Sequence, residues 1–123
     1  MSATLTRTGG NAFVTLDGDL TLPHAEEIKS VFIKALLDAD SLLLRFGGVR
    51  DVDLSCLQLI CSAHRSGVRF KKRMDFSGEA PEEMLNAAEE AGYSLLKGCL
   101  KGCRQDCEKI CLWMKAFGEN NER

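Results

Sequence analysis

Arg50 to Ser66 reads R-D-V-D-L-S-C-L-Q-L-I-C-S-A-H-R-S. It starts as a polar turn after a strand-like apolar run and becomes an amphipathic helix within two residues. Ser55 stands at the changeover, and Gln58 follows three residues later. Ser-x-x-Gln ahead of an apolar-periodic segment is a capping box, in which the Ser oxygen accepts from the N3 amide and Gln reaches back. A hydroxyl there lies beside unpaired backbone N–H groups and the positive end of the helix dipole. That place suits an anion, including a phosphate carried by Ser55 itself. The plainer alternative is that Ser55 only caps a helix, since Ser is among the commonest N-caps.

Immediately upstream, Leu42-Leu43-Leu44 with Phe46 reads as a buried central strand, because a short continuous apolar run implies that both faces are covered. Gly47-Gly48 is expected to end it. Before it, Ile28, Val31, Phe32, Ala35, Leu36 and Ala39 recur at steps of three and four. They predict a helix from about Pro23 to Asp38 with one apolar stripe, and Pro23 is pre-set for a helix's first turn. Further back, Ala3 to Arg7 and Ala12 to Leu16 read as strands joined through the turn cluster Gly9-Gly10-Asn11. A hairpin is the simplest connection between them, and Asp17-Gly18-Asp19 is expected to break the second strand. The order strand, helix, strand, helix is a βαβα unit, so the strands flanking the first helix should be parallel.

Downstream, the helix after Asp53 is expected to end at Gly67, with Leu57, Ile60, Cys61 and His64 on one stripe. Val68 to Phe76 reads as a half-covered strand, in which Val68, Phe70, Met74 and Phe76 alternate with charged residues. Its cations Arg69, Lys71, Lys72 and Arg73 fit an exposed strand face or a charge-protected sheet edge better than a nucleic-acid patch. Ser77-Gly78-Glu79 turns the chain. Pro81 opens a third helix, running to about Ala91, and Gly92 supplies its stop.

The 123 residues are one domain's worth of chain. With 45% apolar and 28% charged residues the composition is that of a globular protein. A formal net charge of −2 gives no field to recruit nucleic acid or anionic lipid. No stretch approaches the ~18 apolar residues of a membrane span, so no direct membrane insertion is expected. Met1 to Gly10 has no apolar core of a secretory signal. A cytoplasmic location is therefore expected, with the six Cys as reduced thiols.

Asp53-x-Ser55-x-Leu57-Gln58, after a short apolar strand and a Gly-containing turn, resembles the centre of the STAS domain (sulphate transporter and anti-sigma factor antagonist). The Leu16-Asp17-Gly18-Asp19-Leu20 turn and the strand into Ser77-Gly78 also fall in that family's order and spacing, and the resemblance covers about residues 3–93. It implies an α/β fold: a four- or five-stranded mixed sheet with helices packed on one side. It also implies that Ser55 occupies the place where many antagonists are phosphorylated by a partner kinase. Two residues depart from the family's pattern: Leu54 stands where many antagonists carry a second Ser, and Cys56 where they carry Gly.

The chain is expected to form a single domain, residues 1–123, with residues 94–123 as a Cys-rich C-terminal extension. There Leu96, Leu100, Cys103, Cys107, Ile110, Met114 and Phe117 follow a four-three spacing, which predicts a helix over roughly Gln105 to Phe117 with an apolar seam. Cys99, Cys103, Cys107 and Cys111 repeat every four residues, within zinc-ligand spacing. On one straight helix the outer two would lie roughly 18 Å apart, too far for one ion, so packing is favoured over metal.

Nothing in the sequence resembles a self-sufficient active site, and no cofactor is expected. The family likeness implies a regulatory binding module that is not an enzyme. Its partners would be an anti-sigma factor of the serine-kinase type, with a histidine-kinase-like fold, and a phosphatase. The docking face would comprise Asp19, Leu20, Thr21, Asp53, Leu54, Ser55, Cys56 and Gln58, with phosphorylation of Ser55 driving release. An alternative is a STAS subunit docked on an ABC transporter ATPase. A third is a thiol redox or metal protein built on the Cys-rich tail, which the absence of Cys-x-x-Cys disfavours. A monomer or weak homodimer is expected.

Overall fold

The computed structural model describes residues 1–92. The expected tail helix, with Cys99, Cys103, Cys107 and Cys111, lies outside the described residues. Strand β1 (Ser2–Thr8) pairs antiparallel with β2 (Asn11–Leu20). A 3-10 turn (Leu22–His24) leads into α1 (Ala25–Asp38), and β3 (Ser41–Val52) follows, parallel to β2. Helix α2 (Leu54–Arg69), strand β4 (Arg73–Phe76), parallel to β3, and α3 (Glu82–Glu90) complete the order. The mixed sheet runs β1-β2-β3-β4.

One face of the sheet is apolar and carries the helices. Ala12, Val14 and Leu16 of β2, Leu42 and Leu44 of β3 and Met74 of β4 meet Ile28, Phe32 and Ala35 of α1. Leu57 and Ile60 of α2 and Met84 and Ala88 of α3 close the same core. Each fully buried Leu, Ile or Met contributes about 1.5–3 kcal/mol relative to leaving it in water. At the β4 edge, the Phe46 and Phe76 rings meet at 5.6 Å in a tilted pair. On the opposite face, the Arg45 guanidinium lies 4.2 Å from the centre of the Phe13 ring.

Two expected strand ends are bends instead. Strand β2 passes through Asp17-Gly18-Asp19, and β3 passes through Gly47-Gly48, with register shifts on either side of Gly18. The Asp17 carboxylate accepts from the Gly48 amide at 3.0 Å. A Cβ on Gly47 would lie 1.6 Å from Asp17 Oδ1, so Gly47 is a close-approach residue at a bulge and not a strand terminator. Beyond the bulge the ladder resumes through Leu20 and Val52.

Helix α2 also runs on past Gly67, and the strand expected from Val68 shrinks to four residues. The cause is the helix's C-terminal hydrogen bonding. The Lys71 amide donates to the Val68 carbonyl at 3.1 Å and the Lys72 amide to the Gly67 carbonyl at 2.7 Å. With Lys71 at φ 60°, this is a Schellman motif whose left-handed position holds a lysine. Gly67 is needed because the chain folds back over it: an added Cβ would sit 3.3 Å from the Lys72 carbonyl oxygen. Phe70 is consequently exposed rather than inward-facing.

Candidate partner-docking site

The continuation of β2 and β3 past their bulge positions the start of α2. The Asp53 amide donates to the Leu20 carbonyl at 3.2 Å, extending the ladder by one bond. Asp53 itself, not Ser55, is the N-cap. Its Oδ1 accepts from the amides of Ser55 at 3.1 Å and Cys56 at 3.4 Å. The expected Ser55–Gln58 capping box is therefore replaced by an Asp cap two residues earlier. Asp offers a full negative charge to the orphan amides and to the positive end of the helix dipole, where a Ser hydroxyl offers only a dipole.

Ser55 occupies the second helical position, and its Oγ donates to Asp53 Oδ1. The other carboxylate oxygen, Oδ2, accepts from the Leu22 amide at 2.9 Å. One side chain thus ties the 3-10 turn before α1 to the first turn of α2. Partial burial pushes the Asp53 carboxyl upward, but four hydrogen bonds outweigh it: from the Ser55 hydroxyl and from the amides of Leu22, Cys56 and Ser55. Its pKa falls below the usual carboxylate value, and Asp53 is ionised at neutral pH.

The expected site residues separate by depth. Thr21, Asp53, Leu54 and Ser55 gather at this end of the molecule, and Gln58 is exposed one turn further along α2. Asp19 lies beside them on β2, with Arg50 at 3.3 Å in an exposed ion pair. Leu20 and Cys56 are fully buried and support the site from below. The Cys56 thiol is pushed up to about 12 by burial and by the neighbouring Asp53 charge, so it stays protonated and inert at neutral pH. Because Cys56 turns inward, its replacement of Gly adds no side chain to the surface.

Leu22, which the sequence reading did not single out, is 67% exposed beside Asp53, and Leu54 is 43% exposed. A large apolar side chain held outward by a 3-10 turn is a signal that an apolar residue directly before a helix-opening proline offers in sequence. Two exposed leucines therefore flank a hydroxyl at a helix N-terminus. Among the described residues, no group of three or more His, Cys, Asp or Glu could hold a metal ion. No helix among them is long and apolar enough to cross a membrane.

The sheet order, the three helices on one face and the motif at the start of α2 define a known class of small α/β domain. Over residues 3–96 the chain matches the family described as "Mlab, STAS domain", and it belongs to that family. Two solved structures share the fold. One is the anti-sigma factor antagonist SpoIIAA in its unphosphorylated form, at 17% identity and a TM-score of 0.52, covering 65% of this chain and 76% of that one. The other is the Bacillus cell fate determinant SpoIIAA in the phosphorylated form, at 18% identity and a TM-score of 0.60, covering 74% of this chain and 84% of that one. No curated protein matches the sequence.

Proposed function

We propose that this STAS domain is a regulatory binding module that docks through the start of α2 and is switched by phosphorylation of Ser55. The observation that carries the reading is the hydroxyl of Ser55 at the second position of an Asp53-capped helix, between the exposed Leu22 and Leu54. The partner is a Ser/Thr kinase of the histidine-kinase-like fold, an anti-sigma factor by analogy, which supplies ATP and magnesium. A phosphatase restores the hydroxyl. This chain contributes the acceptor and the surface and carries out no catalysis itself.

The geometry makes the switch local and electrostatic. The unmodified hydroxyl gives its hydrogen to the ionised Asp53, whose charge the first amides of α2 compensate, and lies near the exposed Leu22 and Leu54. A phosphate adds about −1.5 to −2 charges at pH 7. It also removes the hydrogen that Asp53 accepts and places a dianion against an ionised carboxylate. The helix dipole partly compensates, but a partner surface fitted to Leu22 and Leu54 meets a charge it must desolvate, and dissociates.

A second reading draws on the same leucines. A STAS subunit seated on an ABC transporter ATPase would use Leu22 and Leu54 as permanent anchors, with no switch at Ser55. Binding to the partner encoded beside this gene, kinase or ATPase, separates the two when measured by calorimetry. For the switched module, Leu22→Asp and Ser55→Glu each weaken binding to the kinase at least tenfold. For the permanent subunit, Leu22→Asp weakens binding to the ATPase while Ser55→Glu leaves the kinase unbound and the ATPase complex intact.

A further inference from the structure

A second apolar surface lies at the end of the molecule remote from Ser55. Helices α1 and α2 both start near Asp53 and both finish at the opposite end of the sheet, where β3 and β4 begin. Between their last turns runs a groove of about 470 Å³ lined by Ile33, Leu36, Leu37, Ser66, Phe70 and Lys72. It continues into a smaller depression of about 240 Å³ over Lys29, Leu59 and Ala63. Leu37 is 73% exposed, Phe70 67% and Ile33 49%, so no described residue covers it. Its shape is built in: Lys72 Nζ donates to the Leu36 carbonyl at the end of α1, and the Schellman turn at Lys71 places Phe70 outward.

We propose that the C-terminal segment of this same chain, within residues 93–123, docks in this groove through its apolar seam. Three observations select it over other occupants. First, the chain leaves the described domain at the right place. Helix α3 follows β4 and returns over β3, and Gly92, at φ 98° with its amide on the Glu89 carbonyl, stops it at the end where the groove lies. Second, the reach is sufficient. Crossing from α3 over α2 to the groove spans two helix spacings, roughly 20 Å, and the ten or so residues from Tyr93 to Gly102 extend to about 33 Å. Third, the seam of Cys103, Cys107, Ile110, Met114 and Phe117 is apolar like the groove, and a helix over Gln105 to Phe117 would present it along ~20 Å.

A second copy of the chain is a poorer fit. Three exposed apolar side chains offer a few hundred Å², against about 800 Å² per partner in a stable interface. A tethered segment needs less area, because its effective concentration on a short linker is of millimolar order. Docking there covers the groove and leaves Ser55, at the far end of α2, open to its partner.

The test uses the full chain carrying Leu37→Cys, or separately Phe70→Cys, both at exposed positions that burial does not constrain. Mild oxidation followed by peptide mapping is expected to give an intrachain disulfide from the introduced thiol to Cys103 or Cys107. Cys56 and Cys61 are buried and do not compete. In parallel, the full chain with Leu37→Asp and Phe70→Asp is expected to show severalfold faster tryptic cleavage at Arg104 and Lys109 than the wild type. Links solely between introduced thiols of two chains would assign the groove to a second copy and overturn the proposal. Absence of any link to the introduced thiols, with tail cleavage rates unchanged by the Asp substitutions, would overturn it as well.

Discussion

Asp53 carries more of this molecule than its place two residues before Ser55 suggests. Its carboxylate caps α2, holds the Ser55 hydroxyl and fastens Leu22 of the 3-10 turn. Replacing it by Ala removes all of these, and a loss of about 1–2 kcal/mol is expected, at the upper end for an N-cap. Asn keeps a capping oxygen but not the charge, so Asp53→Asn isolates the pH dependence. The folded pKa of Asp53 is depressed. Its contribution is therefore present above the unfolded value, about 3.9, and lost as pH falls through the folded value. Urea midpoints at pH 7 and in the acid range should fall further for the wild type than for Asp53→Asn. Equal falls would mean that the carboxylate charge contributes nothing there. Cys56, with its thiol pushed up to about 12 and no exposed surface, should resist iodoacetamide until the domain is unfolded in denaturant. Rapid labelling of Cys56 in the native protein, read by mass spectrometry, would contradict the packing of α2.

At the scale of elements, the apolar periodicities predicted most of what forms. Ile28, Phe32, Ala35 and Ala39 lie buried along and just past α1 as their spacing required, and Leu57, Ile60, Cys61 and His64 do so on α2. Phe32→Ala is expected to cost about 3–5 kcal/mol, because its ring is 3% exposed between α1 and the sheet. Chemical denaturation measures it. The errors fall where one glycine can serve two purposes. Gly47 and Gly67 were read as stops, whereas each permits a close approach from elsewhere in the chain: the Asp17 carboxylate and the Lys72 carbonyl. No local pattern announces such a neighbour. The same holds at Lys71, whose left-handed φ belongs to a position normally taken by glycine. A non-glycine residue there costs roughly 1–2 kcal/mol, partly offset by the greater unfolded-state entropy of Gly. Lys71→Gly should therefore raise stability by about 0.5–1 kcal/mol in the same denaturation measurement, and a loss would show that the lysine side chain is worth more than the strain. The cap at Asp53 was missed for a related reason. Asp and Ser are both good N-caps, and the structure resolves the choice through Leu22, whose amide needs the second carboxylate oxygen.

The whole domain has two ends with exposed apolar side chains, joined by α2. One carries Ser55 between Leu22 and Leu54, where the ladder from β2 and β3 delivers Asp53. The other carries the groove of Leu37 and Phe70, where the chain departs for its C-terminal segment. The fold and the Ser55 motif were both legible in sequence, because a βαβ order and a strand-to-helix junction are local patterns. Of the exposed leucines, Leu54 was named with the docking face, whereas Leu22 had only its place before Pro23 to mark it, since exposure depends on what three helices and a sheet leave uncovered. The most direct test is phosphorylation by an anti-sigma kinase from the same genome. The purified full chain is incubated with that kinase and ATP, and the modified residue is mapped by mass spectrometry, with Ser55→Ala in parallel. Phosphate on Ser55, absent from Ser55→Ala, is the expected result. Phosphate solely on another residue, or none from a kinase proven active on a different substrate, would contradict the switch at Ser55.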